Sequence, residues 1–115
     1  MLIRSQNKAV LLNFSNLAAI YTVKDGDDFI ISSLEGENKC TLGKYSTKAK
    51  AMKVLNMIQE AYADVEYTKY IIPEVCRVLS MKPKTEENKA HARELGEMLK
   101  NGMTFQMPED SEVEV

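Results

Sequence analysis

The apolar residues of the first 42 positions come in short runs separated by turn residues. The runs span residues 2–4, 9–14, 17–23, 29–33 and 39–42. Asp25-Gly26-Asp27 and Glu35-Gly36-Glu37 are the clearest turn signals between them. Short runs rich in branched and aromatic side chains, divided by Gly-containing turns, are typical of an antiparallel sheet. This part of the chain therefore predicts a β-meander of about five short strands.

The apolar rhythm changes after the segment Leu42-Gly43-Lys44-Tyr45-Ser46-Thr47. In residues 51–62 apolar side chains recur every three or four positions, which indicates an amphipathic helix. Ser46 or Thr47 can cap that helix by accepting hydrogen bonds from its free amides. We expect its apolar face to cover the meander, because an antiparallel sheet exposes one apolar side. That face comprises Ala51, Leu55, Ile58 and Tyr62, with Val54 and Ala61 beside it.

The second half of the chain predicts two more helices and a last strand. Ile72-Pro73 suits the start of a short helix, because proline is favoured at the first helical position. Residues 81–84 break it, and Thr85 can cap a second helix whose inward stripe would be Ala92, Leu95 and Leu99. Residues 104–107 alternate briefly and predict an edge strand that Pro108 ends. The fold class is therefore α+β, with a single domain over residues 1–108 and a helical elaboration over residues 66–102.

Charge is distributed unevenly along the 115 residues. The last seven residues contain four of the 17 acidic residues and no basic one: Glu109, Asp110, Glu112 and Glu114. Residues 109–115 are expected to have nothing to bury and to form a disordered acidic tail. The remaining chain has 15 basic and 13 acidic residues. This near-neutral balance is unlike the strong basic excess of most nucleic-acid-binding domains.

The two cysteines and the apolar runs bear on localisation. Cys40 and Cys76 are far apart and belong to no Cys-x-x-Cys motif, and the amino terminus lacks the pattern of a signal peptide. We therefore expect a cytoplasmic protein with two reduced, buried and inert thiols. The longest apolar run is far shorter than the ~20 residues that span a bilayer.

Several segments resemble a family of small uncharacterised proteins from Gram-positive bacteria and their prophages. The similar segments are Leu2-Ile3-Arg4-Ser5-Gln6, residues 42–47 and Phe105-Gln106-Met107-Pro108-Glu109, together with Ala51, Val54, Leu55 and Ile58 in the helix. The resemblance implies a related fold and a link to mobile elements. It also implies that residues 105–108 dock on the sheet of their own chain or of a second copy. The function of that family is undefined, so no catalytic or binding residue follows from it.

Candidate catalytic and metal-binding residues are few. His91 is the only histidine, and its spacing from Glu87 and Glu94 matches no catalytic motif, so an exposed helix histidine is expected. Cys76 is the better of the two candidate nucleophiles, because it lies near the predicted start of a helix. The acidic cluster Asp25, Asp27 and Asp28 lacks the rest of a calcium-binding loop. The sequence therefore predicts a protein that is not an enzyme and has no cofactor or metal.

Two surfaces remain as functional hypotheses. Seven methionines are more than one small core needs, and Met98, Met103, Phe105 and Met107 could form an adaptable contact surface. This surface favours a protein-interaction module that binds a protein partner or a second copy. The alternative is a nucleic-acid-associated regulator that uses a basic patch made of Lys44, Lys48, Lys50 and Lys53.

Overall fold

The computed structural model describes residues 1–81, 83 and 85–114, and at Leu79, Leu95 and residues 98–102 it describes the main chain only. The described chain forms two three-stranded sheets and two helices. The strands are β1 (Leu2–Arg4), β2 (Leu11–Asn13), β3 (Ala19–Asp25), β4 (Asp28–Glu35), β5 (Asn38–Tyr45) and β6 (Thr104–Gln106). The helices are α1 (Lys48–Ser80) and α2 (Glu86–Gly102), and short 3-10 turns occupy Phe14–Asn16 and Asp110–Glu112. The α+β class is confirmed.

The meander consists of β3, β4 and β5 in antiparallel order. Two-residue turns join its strands, and Gly26 and Gly36 begin these turns with φ of +62° and +60°. Only glycine adopts such angles without steric cost, which is why both turns form where the sequence predicts them. The β3–β4 register is uniform from Asp25 opposite Asp28 to Ala19 opposite Leu34.

The predicted five-stranded meander is wrong in its first two strands. β1 pairs antiparallel with β2 and parallel with β6, in the order β2-β1-β6, so these strands form a separate sheet. Ile3 lies opposite Phe105 in the parallel pair. Parallel neighbours need a long crossover connection, and nearly the whole chain supplies it here. The final strand is present at Thr104–Gln106.

The first half of α1 covers the meander as predicted. Thr47 caps the helix by accepting a hydrogen bond from the Lys50 amide at 3.2 Å. Ala51 and Ile58 are buried against the sheet, whereas Tyr62 lies at the rim and stacks on Phe14 with ring centroids 4.6 Å apart. The buried core comprises Ile3, Ile31, Leu42, Tyr45, Ala51, Val54, Ile58, Met107 and Val113.

Helix α1 does not end near Tyr62, and the expected separate helix beginning at Ile72-Pro73 is wrong. One continuous helix of 33 residues runs through Pro73 to Ser80. Proline removes the amide that would bond to the carbonyl of Lys69. Both Lys69 and Pro73 are exposed, so water can bond to that carbonyl and the cost of the interruption is limited. The predicted capping of α2 by Thr85 is confirmed, with a 3.2 Å hydrogen bond from the Asn88 amide.

The carboxyl-terminal residues do not form the expected disordered acidic tail. Residues 109–114 fold back over the start of α1, and Val113 is only 4% exposed within the core. Two kinds of contact hold these residues in place. Val113 packs in the core, and Asp110 bonds to Ser46 and to Lys50. We call residues 109–114 the C-terminal segment.

Candidate functional surfaces

The C-terminal segment contacts two lysines of the basic patch that was predicted at the start of α1. Lys50 forms an ion pair with Asp110 at 3.3 Å and donates to its carbonyl oxygen at 2.9 Å. Lys53 donates to the carbonyl oxygen of Glu114. Lys44 forms an ion pair with Asp28 at 3.4 Å, and Lys48 is exposed without an ion pair among the described residues. Most of the patch is therefore engaged within the chain, which counts against its use as a nucleic-acid interface.

Asp110 supplies the negative charge that α1 lacks at its amino terminus. The first turn of α1 contains no acidic residue, although the positive end of a helix dipole favours one. The Asp110 carboxylate accepts hydrogen bonds from the Ser46 amide at 2.8 Å and from the Ser46 hydroxyl at 3.0 Å. The Ser46 amide bond, followed by the Ser46 hydroxyl and Lys50, holds the pKa of Asp110 below its usual range despite partial desolvation. The carboxylate thus places a negative charge at the residue before Thr47, and it comes from 64 positions further along the chain.

Tyr45 links the meander to the C-terminal segment. Its hydroxyl donates to the Pro108 carbonyl at 2.8 Å, and its side chain is 1% exposed. Burial, and then the nearby charges of Glu109 and Asp110, raise the pKa of this phenol well above its ordinary value. The phenol therefore stays protonated at neutral pH and donates the hydrogen bond to Pro108.

The predicted partner surface of methionines does not form one continuous patch. Met107 is 1% exposed and belongs to the core, and Phe105 is half-buried against that core. Met103 is 52% exposed at the end of α2. The side chain of Met98 lies outside the described residues. Met107 faces inward because β6 pairs with β1, which turns alternate side chains of this segment toward the core.

A second surface, which the sequence analysis missed, is the part of the chain that extends beyond the two sheets. We call residues 66–102, comprising the second half of α1 and all of α2, the helical projection. Beyond Val65 no described side chain of α1 is buried. The molecule measures 60 × 31 × 22 Å. Among the described side chains of the projection, the exposed large apolar ones are Tyr67 (68%), Tyr70 (81%), Val78 (42%) and Met81 (74%).

The thiols and the histidine form no reactive cluster in the described chain. Cys40 is half-buried, but Cys76 is exposed, which contradicts the expected buried thiol. The reason is that α1 carries Cys76 out along the projection, away from the core. His91 is exposed on α2, in agreement with the expectation. No group of His, Cys, Asp and Glu within residues 1–81, 83 and 85–114 could hold a metal ion.

A third surface lies beside β3. A groove of about 420 Å³ opens between this edge strand and α1. It is lined by Phe14, Leu17, Ala18, Ala19, Ile20, Leu55, Ile58, Gln59 and Tyr62. Its lining side chains are apolar except for Gln59 and Tyr62, so it offers chiefly shape and hydrophobic area.

Comparison with known proteins adds no relative. No protein-family model, no curated protein and no solved structure matches this chain. The resemblance to small proteins of Gram-positive bacteria and their prophages therefore stays a prediction. Among the described residues, neither helix has an apolar stretch long enough to cross a membrane.

Proposed function

We propose that this protein is a non-enzymatic protein-interaction module whose binding element is the helical projection. The observation that carries the proposal is the exposure of Tyr67 and Tyr70, which are 68% and 81% accessible on a helix that extends beyond the sheets. Exposed single apolar residues are common on monomers, but tyrosine and methionine are enriched where proteins bind one another. Two tyrosines, one methionine and Val78 are exposed on this one projecting element, which is more exposed apolar area than solubility favours.

The geometry of the projection supports this role. Residues 66–80 add about 22 Å of helix beyond Val65, given a rise of 1.5 Å per residue. An ion pair of Glu66 with Lys69 and one of Glu74 with Arg77 lie along the same stretch. Exposed pairs of this kind contribute little to stability, and they keep the helix soluble when no partner is bound. The partner that fits is a protein with an apolar groove or helix face that can bury tyrosine rings.

The exposed tyrosines provide the test. In a binding assay with immobilised full-length chain and host extract, we expect the double variant Tyr67→Ser/Tyr70→Ser to lose partners that the unmodified chain retains. Truncating one interface tyrosine of hot-spot quality costs about 2 kcal/mol, or roughly thirtyfold in affinity. Met52→Ser is a matched control, because Met52 is 41% exposed on the half of α1 that covers the sheet.

The stability of each variant must also be measured, so that loss of binding is not confused with unfolding. Substitutions of exposed residues change the free energy of unfolding by about 0.5 kcal/mol or less, so all three proteins should melt together. Retention of the same partners by the double variant, or their equal loss in the Met52 control, would contradict the proposal.

A further inference from the structure

The two edges of the meander are treated differently by the rest of the chain. Gln6 covers the second half of the β5 edge. Its main-chain amide donates to the Leu42 carbonyl at 2.7 Å, and its side-chain carboxamide pairs with the main chain of Lys44. The carboxamide accepts from the Lys44 amide at 2.9 Å and donates to the Lys44 carbonyl at 3.2 Å, as a neighbouring strand would. No described residue makes such bonds to the outer edge of β3.

The hairpin geometry determines which backbone groups of β3 point to the free edge. Asp25 and Asp28 flank the two-residue turn. The two residues that flank such a turn form a hydrogen-bonded pair. Hydrogen-bonded and non-hydrogen-bonded pairs alternate along an antiparallel ladder. Residues 19, 21, 23 and 25 therefore bond to β4, and the amides and carbonyls of Ile20, Thr22 and Lys24 point outward.

A long unprotected edge strand is a template for adding another strand, and natural proteins usually shorten or cover it. β3 has seven residues, whereas the edge strands of the other sheet, β2 and β6, have three each. We propose that β3 pairs antiparallel with β3 of a second copy, so that two meanders form one continuous six-stranded sheet. This surface is separate from the helical projection, so the inference does not depend on the proposed function.

The sequence of β3 is suited to pairing with itself about a two-fold axis at Thr22. In that register Thr22 lies opposite Thr22 of the second copy, and Ile20 lies opposite its Lys24. All the outward backbone groups of both strands then acquire partners. No other two-fold register pairs all three outward residues of each copy.

The side chains agree with this register. Thr22 Oγ1 is buried without a hydrogen-bond partner among the described residues. Rotation of the Thr22 side chain toward the free edge would bring its hydroxyl beside that of the second copy's Thr22, and threonine pairs across strands are favourable. On the other face Tyr21 meets the second copy's Val23, an aromatic and β-branched pair that is also favourable. Val23 is 45% exposed in the single chain.

The apolar groove extends the same surface. Ile20 lines the groove and lies opposite the second copy's Lys24 in the proposed register. The aliphatic stem of that lysine can lie across the groove mouth while its ammonium group stays in water. The dimer would thus cover part of an apolar surface that a single chain leaves open.

The first test measures the association state of the full chain by sedimentation and light scattering from about 1 µM to about 1 mM, which spans moderate to weak affinities. We expect dimers, and we expect Thr22→Pro to weaken them at least tenfold. Proline removes an amide that only the second copy would use, and edge strands tolerate proline at such positions. Lys39→Pro is the matched control, because Lys39 follows the closing pair Glu35 and Asn38 and its amide therefore also points outward, from β5.

The second test distinguishes lost pairing from lost folding. Tyr21→Glu/Val23→Glu places like charges across the proposed axis, and Tyr21→Lys/Val23→Lys does the same with the opposite sign. Each variant alone should be monomeric, and an equimolar mixture should form heterodimers, which misfolded proteins would not do.

Three outcomes would overturn the inference. The first is a chain that stays monomeric at the highest concentration, and the second is a dimer that Thr22→Pro and Lys39→Pro affect equally. The third is a dimer that Tyr67→Ser/Tyr70→Ser abolishes and Thr22→Pro does not. The third outcome would leave the proposed role of the helical projection standing.

Discussion

The two halves of α1 belong to one helix but meet different surroundings. From Lys48 to Val65 the helix lies on the meander, and Ala51, Val54, Ile58 and Val65 are all buried. From residue 66 onward the same helix carries Tyr67 and Tyr70 into solvent. Packing on the sheet holds the first half, and beyond the meander α1 contacts α2.

This difference divides the chain into a part whose side chains pack together and a part whose described side chains are accessible for contacts with another molecule. The core unit contains both sheets, the first half of α1 and the C-terminal segment, and its apolar side chains pack on one another. Among the described side chains of the projection, none is buried, and Tyr67, Tyr70, Val78 and Met81 are exposed. Substitutions in the core unit should therefore affect stability, and substitutions in the projection should affect binding.

The largest contrast is expected between two methionines. Met107→Ala removes a side chain that is 1% exposed, and Met81→Ala removes one that is 74% exposed. Burial and the cavity left behind predict a loss of about 3 kcal/mol in the free energy of unfolding for Met107→Ala. Met81→Ala should change it by about 0.5 kcal/mol or less. Urea denaturation of both full-length variants measures the difference, and equal losses would show that the projection is packed as tightly as the core.

A pair of glycines should give effects of opposite sign. A Cβ atom at Gly43 would lie 3.0 Å from the Tyr45 hydroxyl oxygen, and that ring is fixed by burial and by its bond to Pro108. Gly43→Ala should therefore destabilise the protein by about 1–3 kcal/mol through overpacking.

Gly96 provides the matched substitution in the projection. A Cβ atom there meets nothing within 4 Å, and Gly96 lies in the interior of α2. Alanine has the higher helix propensity, so Gly96→Ala should stabilise α2 by about 0.5–1 kcal/mol. Thermal melts followed by circular dichroism measure both variants. A destabilised Gly96→Ala would mean that α2 packs closely against another surface at that position.

The sequence predicts local structure well where one short segment contains the whole signal. The Gly26 and Gly36 turns, the Thr85 cap and the apolar face around Ala51 and Ile58 are examples. The pairing of β1 with β6 is not predictable in this way. Its two strands lie about 100 residues apart, and three alternating residues at each site do not specify a partner.

Two further differences had signals that were available in the sequence. Val65, Ile72, Val75 and Leu79 repeat with helical spacing, which favours one helix across Pro73 over two separate helices. Lys48 and Lys50 in a first turn without acidic residues make the start of α1 a favourable place for a carboxylate from elsewhere in the chain. The prediction of two separate helices in place of one continuous α1 also hid the exposed tyrosines, because only a continuous helix carries Tyr67 and Tyr70 beyond the sheets.

The smallest expected contrast concerns two carboxylates and depends on pH. The folded state holds the pKa of Asp110 below its ordinary value of 3.8, so folding is favoured by the ionised carboxylate. That stabilisation is complete above the ordinary pKa and is lost as the pH falls through the lower, folded pKa. Asp110→Asn should therefore melt a few degrees below the unmodified chain at neutral pH. The two melting curves should converge in acid.

Glu74→Gln is the control in the projection, where it breaks an exposed ion pair with Arg77. It should leave the melting temperature unchanged both at neutral pH and in acid. If the Asp110→Asn difference persisted at pH values below the folded pKa, neutral contacts of Asp110 and not its charge would hold the C-terminal segment against α1.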